Sequence, residues 1–396
     1  MTPKQRFLAA VNHQEPDRVP MDSNGCVSAI HEVAYRRLLG HLQIDEEVSV
    51  HPDCLAARPS EAVLRVLDTD TRYVFPGSNA NYTFHFDEDG YATDEFGVKY
   101  RRLGYYTEMC VHPLKDMTFS EIRKYKFPEP SSYNLCDDLR ERVLRTCDVQ
   151  NYAIVYGPVY CVFYILWMLR GFQQAVEDVA ANRDIMRYIF DKATDWIIGM
   201  FEGPLNAIGD HLDMFWVGED LGTQYGPMIN PRFTREELVP RFQKIISFCK
   251  SKTKAKCVFH SCGSVHWALP YLIDMGVDIV HPVQPNAEGN GDSFRIKREF
   301  GDRLSFHGGT DNQGTFHLDK RIMLLDTLGR IKAYAPGGGY IFSSGHNIQA
   351  TVPPENILAL FECGREFGKY PIDVARIDAR MAELRESLAQ QPVCSE

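Results

Sequence analysis

Cys257-Val258-Phe259-His260-Ser261-Cys262-Gly263 is an apolar run of strand length that ends in an imidazole, a thiol and a glycine. Stretches with helical spacing of apolar residues lie on both sides of it, at 236–250 and 265–275. The same unit recurs outward from this point. Strand-like runs occupy 153–156, 214–217, 278–281, 304–307 and 340–342, and further helical stretches occupy 321–334 and 354–366. Strands parted by helices run parallel, because the crossover helix returns the chain to the same end of the sheet. So many units in succession predict an α/β protein with a closed (β/α)8 TIM barrel rather than an open sheet. Arg18-Val19-Pro20-Met21 offers an early strand, and one more is expected between residues 50 and 80.

A chain of 396 residues suits one such barrel with additions, and 44% hydrophobic residues supply a large core. Forty-three basic against fifty-three acidic side chains leave a net charge of −10. That balance speaks against a nucleic-acid or anionic-membrane surface. Eleven scattered cysteines fit a reduced, cytoplasmic protein better than a disulfide scaffold. Thr2-Pro3 reads as a helix cap followed by proline in the first turn, not as an export signal. Residues 152–169 carry no charge, but Gly157-Pro158 divides them into a buried strand, a turn and a helix start rather than a membrane span. Residues 72–113 depart from the βα rhythm. Tyr82-Thr83-Phe84-His85-Phe86 alternates before the turn Asp87-Glu88-Asp89-Gly90, so a β-hairpin or small antiparallel sheet is expected there. Val374, Ile377, Met381, Leu384 and Leu388 are spaced as on a helix. The expected organisation is therefore one barrel domain over 1–370, with a terminal helix and tail over 371–396.

Barrel enzymes carry their chemistry on the loops that follow the strands. Here those loops read Gly218-Glu219-Asp220, His260-Ser261-Cys262-Gly263, His281 with Val283-Gln284, His307-Gly308-Gly309-Thr310-Asp311 and Ser343-Ser344-Gly345-His346-Asn347. His260 and Cys262, two apart at a strand end, would aim an imidazole nitrogen and a thiolate to one side, where a zinc ion could take both. A buried, internally satisfied His and Cys is the plain alternative. Glu219 and His346, at the ends of other strands, would complete an N/S/O ligand set. Asp22, Asn24, Tyr156, Tyr160, His281, Gln284 and Asn347 are expected to line the substrate pocket. Gly337-Gly338-Gly339 reads as a helix-terminating turn. Gly308-Gly309 is either a small-anion loop or a point of close backbone packing.

Several separated motifs resemble the uroporphyrinogen decarboxylase superfamily: Lys4-Gln5-Arg6-Phe7-Leu8, Glu15-Pro16-Asp17-Arg18-Val19-Pro20, Gly157-Pro158, Leu169-Arg170-Gly171, His260-Ser261-Cys262-Gly263 and the run from Gly337 to Ile348. The resemblance implies a (β/α)8 barrel and offers two chemistries. The metal-free decarboxylases carry an arginine-rich stretch where this chain has Met21-Asp22-Ser23-Asn24-Gly25-Cys26, and a substrate rich in carboxylates needs such cations. The methyltransferases that work with corrinoid proteins are marked by a His-x-Cys pair on zinc, which His260 and Cys262 match. That branch usually has a cysteine where this chain has His346. His346 is then either a zinc ligand or a pocket residue, with water or Glu219 completing the shell.

The resemblance thus leads to a methyltransferase with one zinc per chain. It would move methyl between a small, methoxylated substrate and the cobalamin-type cobalt of a separate corrinoid-binding protein, an O-demethylation helped by a proton from Asp311 or His307. The rival expectations are a metal-free decarboxylase using His346 with Asp22 or Asp311, and a non-catalytic barrel that binds a corrinoid protein. No nucleic acid or membrane partner is expected, and a homodimer is compatible with the sequence.

Overall fold

Short runs of valine, isoleucine and aromatic residues, too short for stable helices and bounded by glycine, proline and polar turns, form the inner sheet. The computed structural model describes residues 1–51, 54–77, 84–133 and 138–390. Its central sheet contains β1 (Thr71–Val74), β2 (Ala153–Tyr156), β3 (Met214–Gly218), β4 (Lys256–His260), β5 (Ile279–His281), β6 (Ser305–His307) and β7 (Tyr340–Ile341). Each strand pairs in parallel with the next in sequence. Residues 20–22 supply the closing stave. The Phe342 N–H donates to the Pro20 carbonyl at 2.8 Å and the Asp22 N–H to the Phe342 carbonyl at 2.9 Å, while on the other flank the Asp70 N–H donates to the Met21 carbonyl at 2.7 Å. This stave is minimal because Pro20 has no N–H for the ladder. The (β/α)8 fold expected from the alternation is the fold observed.

Strand alternation divides the core in two. Ala153, Val155, Met214, Trp216, Val258, Ile279 and Ile341 fill the barrel interior together with Phe7 and Val11. Ile154, Tyr156, Phe215, Val217, Cys257, Phe259, Val280 and Phe306 face the surrounding helices. Phe7 and Val11 belong to the helix Pro3–Val11, which stops the bottom of the barrel. Thr2 caps it with a hydrogen bond from the Gln5 N–H, and the Gln5 side chain returns one from the Thr2 N–H. The floor is therefore apolar, and polar side chains are left for the opposite rim.

The inserted antiparallel sheet consists of Tyr91–Thr93, Lys99–Leu103 and Tyr106–Val111. Gly104, with φ of +61°, makes the two-residue turn between its last two strands. The expected starting point of this insertion was too early, because Arg72, Tyr73 and Val74 pair with β2 in the barrel. Tyr82 and Thr83 lie outside the described residues, and Phe84, His85 and Phe86 are not in a strand. The C-terminal helix Val374–Ala389 buries Ile377 and Leu384 against the body. Among the described residues, no helix is long and apolar enough to cross a membrane.

Candidate metal centre

The registers of β3 to β6 place a row of side chains at one level of the barrel interior. Gly218 pairs with His260, and His260 pairs with His281. The register of β5 with β6 continues the row to His307, whose ring centroid lies 4.8 Å from that of His281. Gly218 is required by its neighbour. A Cβ there would lie 2.9 Å from the His260 carbonyl oxygen, 3.0 Å from the His260 Cβ and 2.8 Å from Val159. The missing side chain gives the His260 imidazole its place.

Above this row, His260 and Cys262 meet as the sequence spacing suggested, with Cys262 Sγ 3.5 Å from His260 Nε2. His346 joins them from the loop after β7. Single ligand atoms of His260, Cys262 and His346 all lie within 4.8 Å of one another. Asn312 holds the His346 loop by donating through Nδ2 to the backbone carbonyls of His346 and Asn347, both at 2.8 Å. Two imidazole nitrogens and one sulfur suit zinc and leave a tetrahedral ion one open position, as catalytic zinc sites do. Burial pushes His260 down to about 4 and His346 down as well, with Asp220 opposing both shifts. Burial and Asp220 raise the Cys262 thiol well above its usual range. The imidazoles are thus neutral and ready to coordinate, whereas the thiol has to lose its proton to a metal.

Glu219 does not join this group. Its carboxylate accepts the N–H groups of Phe163 at 2.5 Å and Tyr164 at 3.2 Å, which open the helix Val162–Arg170. Burial pushes its pKa up to about 8, against these hydrogen bonds. The carboxylate beside this His/Cys/His group is that of Asp220, which accepts the Cys262 N–H at 2.9 Å and lies 3.8 Å from His260 Nε2. Strand parity carried this signal. Met214, Trp216 and Gly218 face inward, so 219 faces the helices and 220 returns to the interior.

Parity also corrects Tyr156 as a pocket residue, and packing corrects Tyr160. Tyr156 points to the helix layer, where its ring packs on Phe201 and its hydroxyl donates to the Met200 carbonyl at 3.3 Å. Tyr160 packs edge-on against Trp196 and Phe201. Asn347 ties the barrel seam rather than facing a ligand, accepting the Ala29 N–H and donating to the Cys26 carbonyl, both at 2.8 Å. Asp311 caps its own loop, accepting the Gly314 N–H at 2.8 Å and the Asn286 amide at 3.2 Å. Gln284 steadies the metal loop by accepting the Gly263 N–H at 2.9 Å.

Three expected residues, Asp22, His281 and His307, do gather inside the barrel. His307 Nε2 lies 2.9 Å from Asp22 Oδ2, and both side chains are fully buried. Ser28 and Tyr73 donate to the same Asp22 oxygen at 3.0 Å, and Thr71 donates to the other. Burial opposes the charge of Asp22, but the hydrogen bonds from His307, Thr71 and Ser28 hold its pKa below the ordinary value. His281 lies between this pair and the metal group, with its Nδ1 2.9 Å from His260 Nδ1. Burial, then His307, His260 and His346, push its pKa well down. His281 Nε2, His307 Nδ1 and Asn24 Oδ1 are buried without a well-aligned hydrogen-bond partner among the described residues, although the Ser344 carbonyl lies close enough to favour a proton on His281. Sequence reading overlooked Trp216, whose ring stands edge-on to His281 and His307 with centroids 5.1 and 5.2 Å away.

The sequence model of the family described as Uroporphyrinogen decarboxylase (URO-D) matches residues 110–367. The chain belongs to the uroporphyrinogen decarboxylase family. It is similar to the uroporphyrinogen decarboxylases of Coxiella burnetii strains Dugway 5J108-111 and RSA 331, at 23% identity over 194 residues in each case. Those alignments cover 46% of this chain and 48% of the relatives, so the chain spans about half the length of the curated relatives it matches. Among solved structures, a methyltransferase from Methanosarcina mazei superposes with a TM-score of 0.65 and 17% identity, over 93% of this chain and 99% of that chain. At that identity the likeness is one of fold.

Proposed function

We propose that this chain is a zinc-dependent methyltransferase that moves a methyl group between a small methoxylated substrate and the cobalt of a separate corrinoid protein. The observation that carries this reading is the convergence of His260, Cys262 and His346 from two different loops of the rim. A binding barrel has no need to bring a thiol and two imidazoles together around an open position. The residues after Pro20 also fit a decarboxylase of polycarboxylates poorly. Asp22 there is satisfied by hydroxyls and His307, and among the described residues no guanidinium bonds to it.

His260 Nε2, the Cys262 thiolate and His346 would hold the ion, with Asp220 beside them as the anionic group of the rim. Zinc, when bound, supplies a Lewis acid that favours negative charge on a substrate oxygen. The chain's own residues then have three tasks. Trp216, His281 and His307 form a buried aromatic wall of the barrel interior. Asn24 Oδ1 offers an unused acceptor for orienting a polar substrate group. His307, fixed through Nε2 on Asp22, has its Nδ1 left to exchange a proton with the departing oxygen. Asp311 has a weaker claim to that task, since its carboxylate already caps a turn.

Elemental mass spectrometry of the purified protein tests the reading. About one zinc per chain is expected, lost in His260→Ala and Cys262→Ala together with demethylation of methoxylated substrates by the chain plus a corrinoid protein. Absence of bound metal even after anaerobic reconstitution, or unchanged turnover in both variants, would discard it. The metal-free decarboxylase and the non-catalytic corrinoid-binding barrel would then be the readings to pursue.

A further inference from the structure

A zinc-bound histidine generally donates its second ring N–H to a carboxylate, a carbonyl or water, which fixes its tautomer and raises its basicity. His260 does something different. Its Nδ1 lies 2.9 Å from Nδ1 of His281, so a single proton is shared between two imidazole nitrogens. Cys262 Sγ lies 3.5 Å from the other nitrogen, Nε2, which marks Nε2 as the metal-facing atom and requires a lone pair there. The shared proton therefore belongs to His260 Nδ1, and His281 Nδ1 accepts it. His281 in turn carries its own proton on Nε2.

His281 is held in that role from several sides. It is the register partner of His260 across β4 and β5, and its carbonyl accepts the Ser261 N–H at 2.8 Å. Trp216 and His307 stand against its ring at 81° and 73°. His307 is itself anchored on Asp22. Swinging His281 away would mean breaking a fully buried packing arrangement.

We infer that His281 is the positioning residue of the metal centre, a neutral imidazole that fixes the tautomer and direction of His260 where a carboxylate more commonly does so. The chemical consequence follows from its neutrality. A carboxylate would push electron density through His260 towards the ion, whereas an imidazole orients the ligand with less of that donation. A zinc ion held there would keep more of its Lewis acidity, which would suit a departing oxygen. This inference rests on the metal reading above.

Two measurements that need no turnover test it: zinc affinity by competition with a chromogenic chelator, and the visible spectrum after cobalt(II) substitution. His281→Phe keeps an aromatic ring but leaves the His260 N–H without an acceptor, and should weaken zinc binding about 10–100-fold and alter the cobalt spectrum. His281→Asn places an amide oxygen where Nδ1 stood and should restore most of the affinity. His281→Asp should bind zinc at least as tightly as the unaltered chain. Should the phenylalanine variant fail to fold, His281→Leu replaces it in the comparison with asparagine. Wild-type affinity and spectrum in the variants lacking an acceptor, or an asparagine variant as weak as they are, would overturn the inference alone. An unaltered chain that binds no zinc would overturn it together with the metal reading.

Discussion

His260 depends on an atom that its neighbour lacks. Gly218→Ala would place a methyl group within 3.0 Å of the His260 backbone and Cβ, where no flexible tip can yield. The expected cost is about 1–3 kcal/mol of stability with a marked loss of zinc affinity, read by thermal melting and chelator competition. Glu219→Gln is the contrasting change. It keeps an acceptor for the N–H groups of Phe163 and Tyr164 and removes a carboxyl that burial has already raised to about 8, so zinc stoichiometry should not change. Loss of the ion in Glu219→Gln would return Glu219 to the ligand set. His51 provides a test of acid stability away from the His260, Cys262 and His346 group. Burial and Arg58 push its pKa down to about 3, below the unfolded value of 6.5. The folded chain therefore refuses a proton that the unfolded chain accepts, and the stability associated with neutral His51 is lost as pH falls below about 6.5. Urea unfolding should show the deficit of His51→Gln relative to the unaltered chain shrinking by about 2 kcal/mol between pH 7.5 and pH 5. Parallel curves for the two proteins would show that His51 takes up its proton while folded.

At the level of elements, the barrel's weakest stave is stitched by charge. Asp70, fully buried before β1, accepts from Arg6 at 2.5 Å, from Arg18 at 2.7 Å and from the Met21 N–H at 2.7 Å. These contacts join the floor helix, the closing stave and the first long strand at one carboxylate. Burial pushes Asp70 up while the two guanidiniums pull it down, so the arrangement holds only as a set. Asp70→Asn should cost about 3–5 kcal/mol, measured as a lowered denaturation midpoint. A loss below 1 kcal/mol would show that the seam is held by packing and backbone hydrogen bonds instead. The parity of β2 and β3 explains why Tyr156 lies among the helices and why Asp220, not Glu219, reaches the interior. Element type was legible from apolar periodicity. Facing is equally legible, since residues two apart share a face, and at these positions it outranks mere proximity to a strand end.

Across the whole molecule, an apolar floor and a polar upper interior divide the work between stability and chemistry. Helix Pro3–Val11 and the Met214, Val258 and Ile279 layer exclude water below, and the histidine row with Asp22 lies above them. A metal that binds only the folded arrangement of His260, Cys262 and His346 stabilises the entire fold by linkage. Zinc at a hundredfold excess over its Kd should stabilise the chain by about 2.7 kcal/mol. Calorimetric scans should show the gain in the unaltered protein and not in His260→Ala. Equal shifts in both proteins would locate the effect at another site.

The sequence by itself determined the barrel class, because a succession of βα units imposes parallel order through local periodicity and crossover length. It also singled out His260 and Cys262, whose two-residue spacing is a local fact of the backbone. His346 was visible as a strand-end residue, but only closure of the barrel brings it across 84 positions of chain to the other two, a distance fixed by the stagger of β4 and β7 rather than by any motif. The pairing of Asp22 with His307 and of His260 with His281 was decided in the same way, by side chains converging on a common axis from different staves. Hydrogen-bond accounting decided the rest. Glu219, Asn347 and Asp311 have the right chemistry and the right approximate place, but nearby backbone N–H and C=O groups need their oxygens and amide first. Which polar groups are left free for a ligand depends on every buried partner they could satisfy, and that inventory exists only in the folded chain.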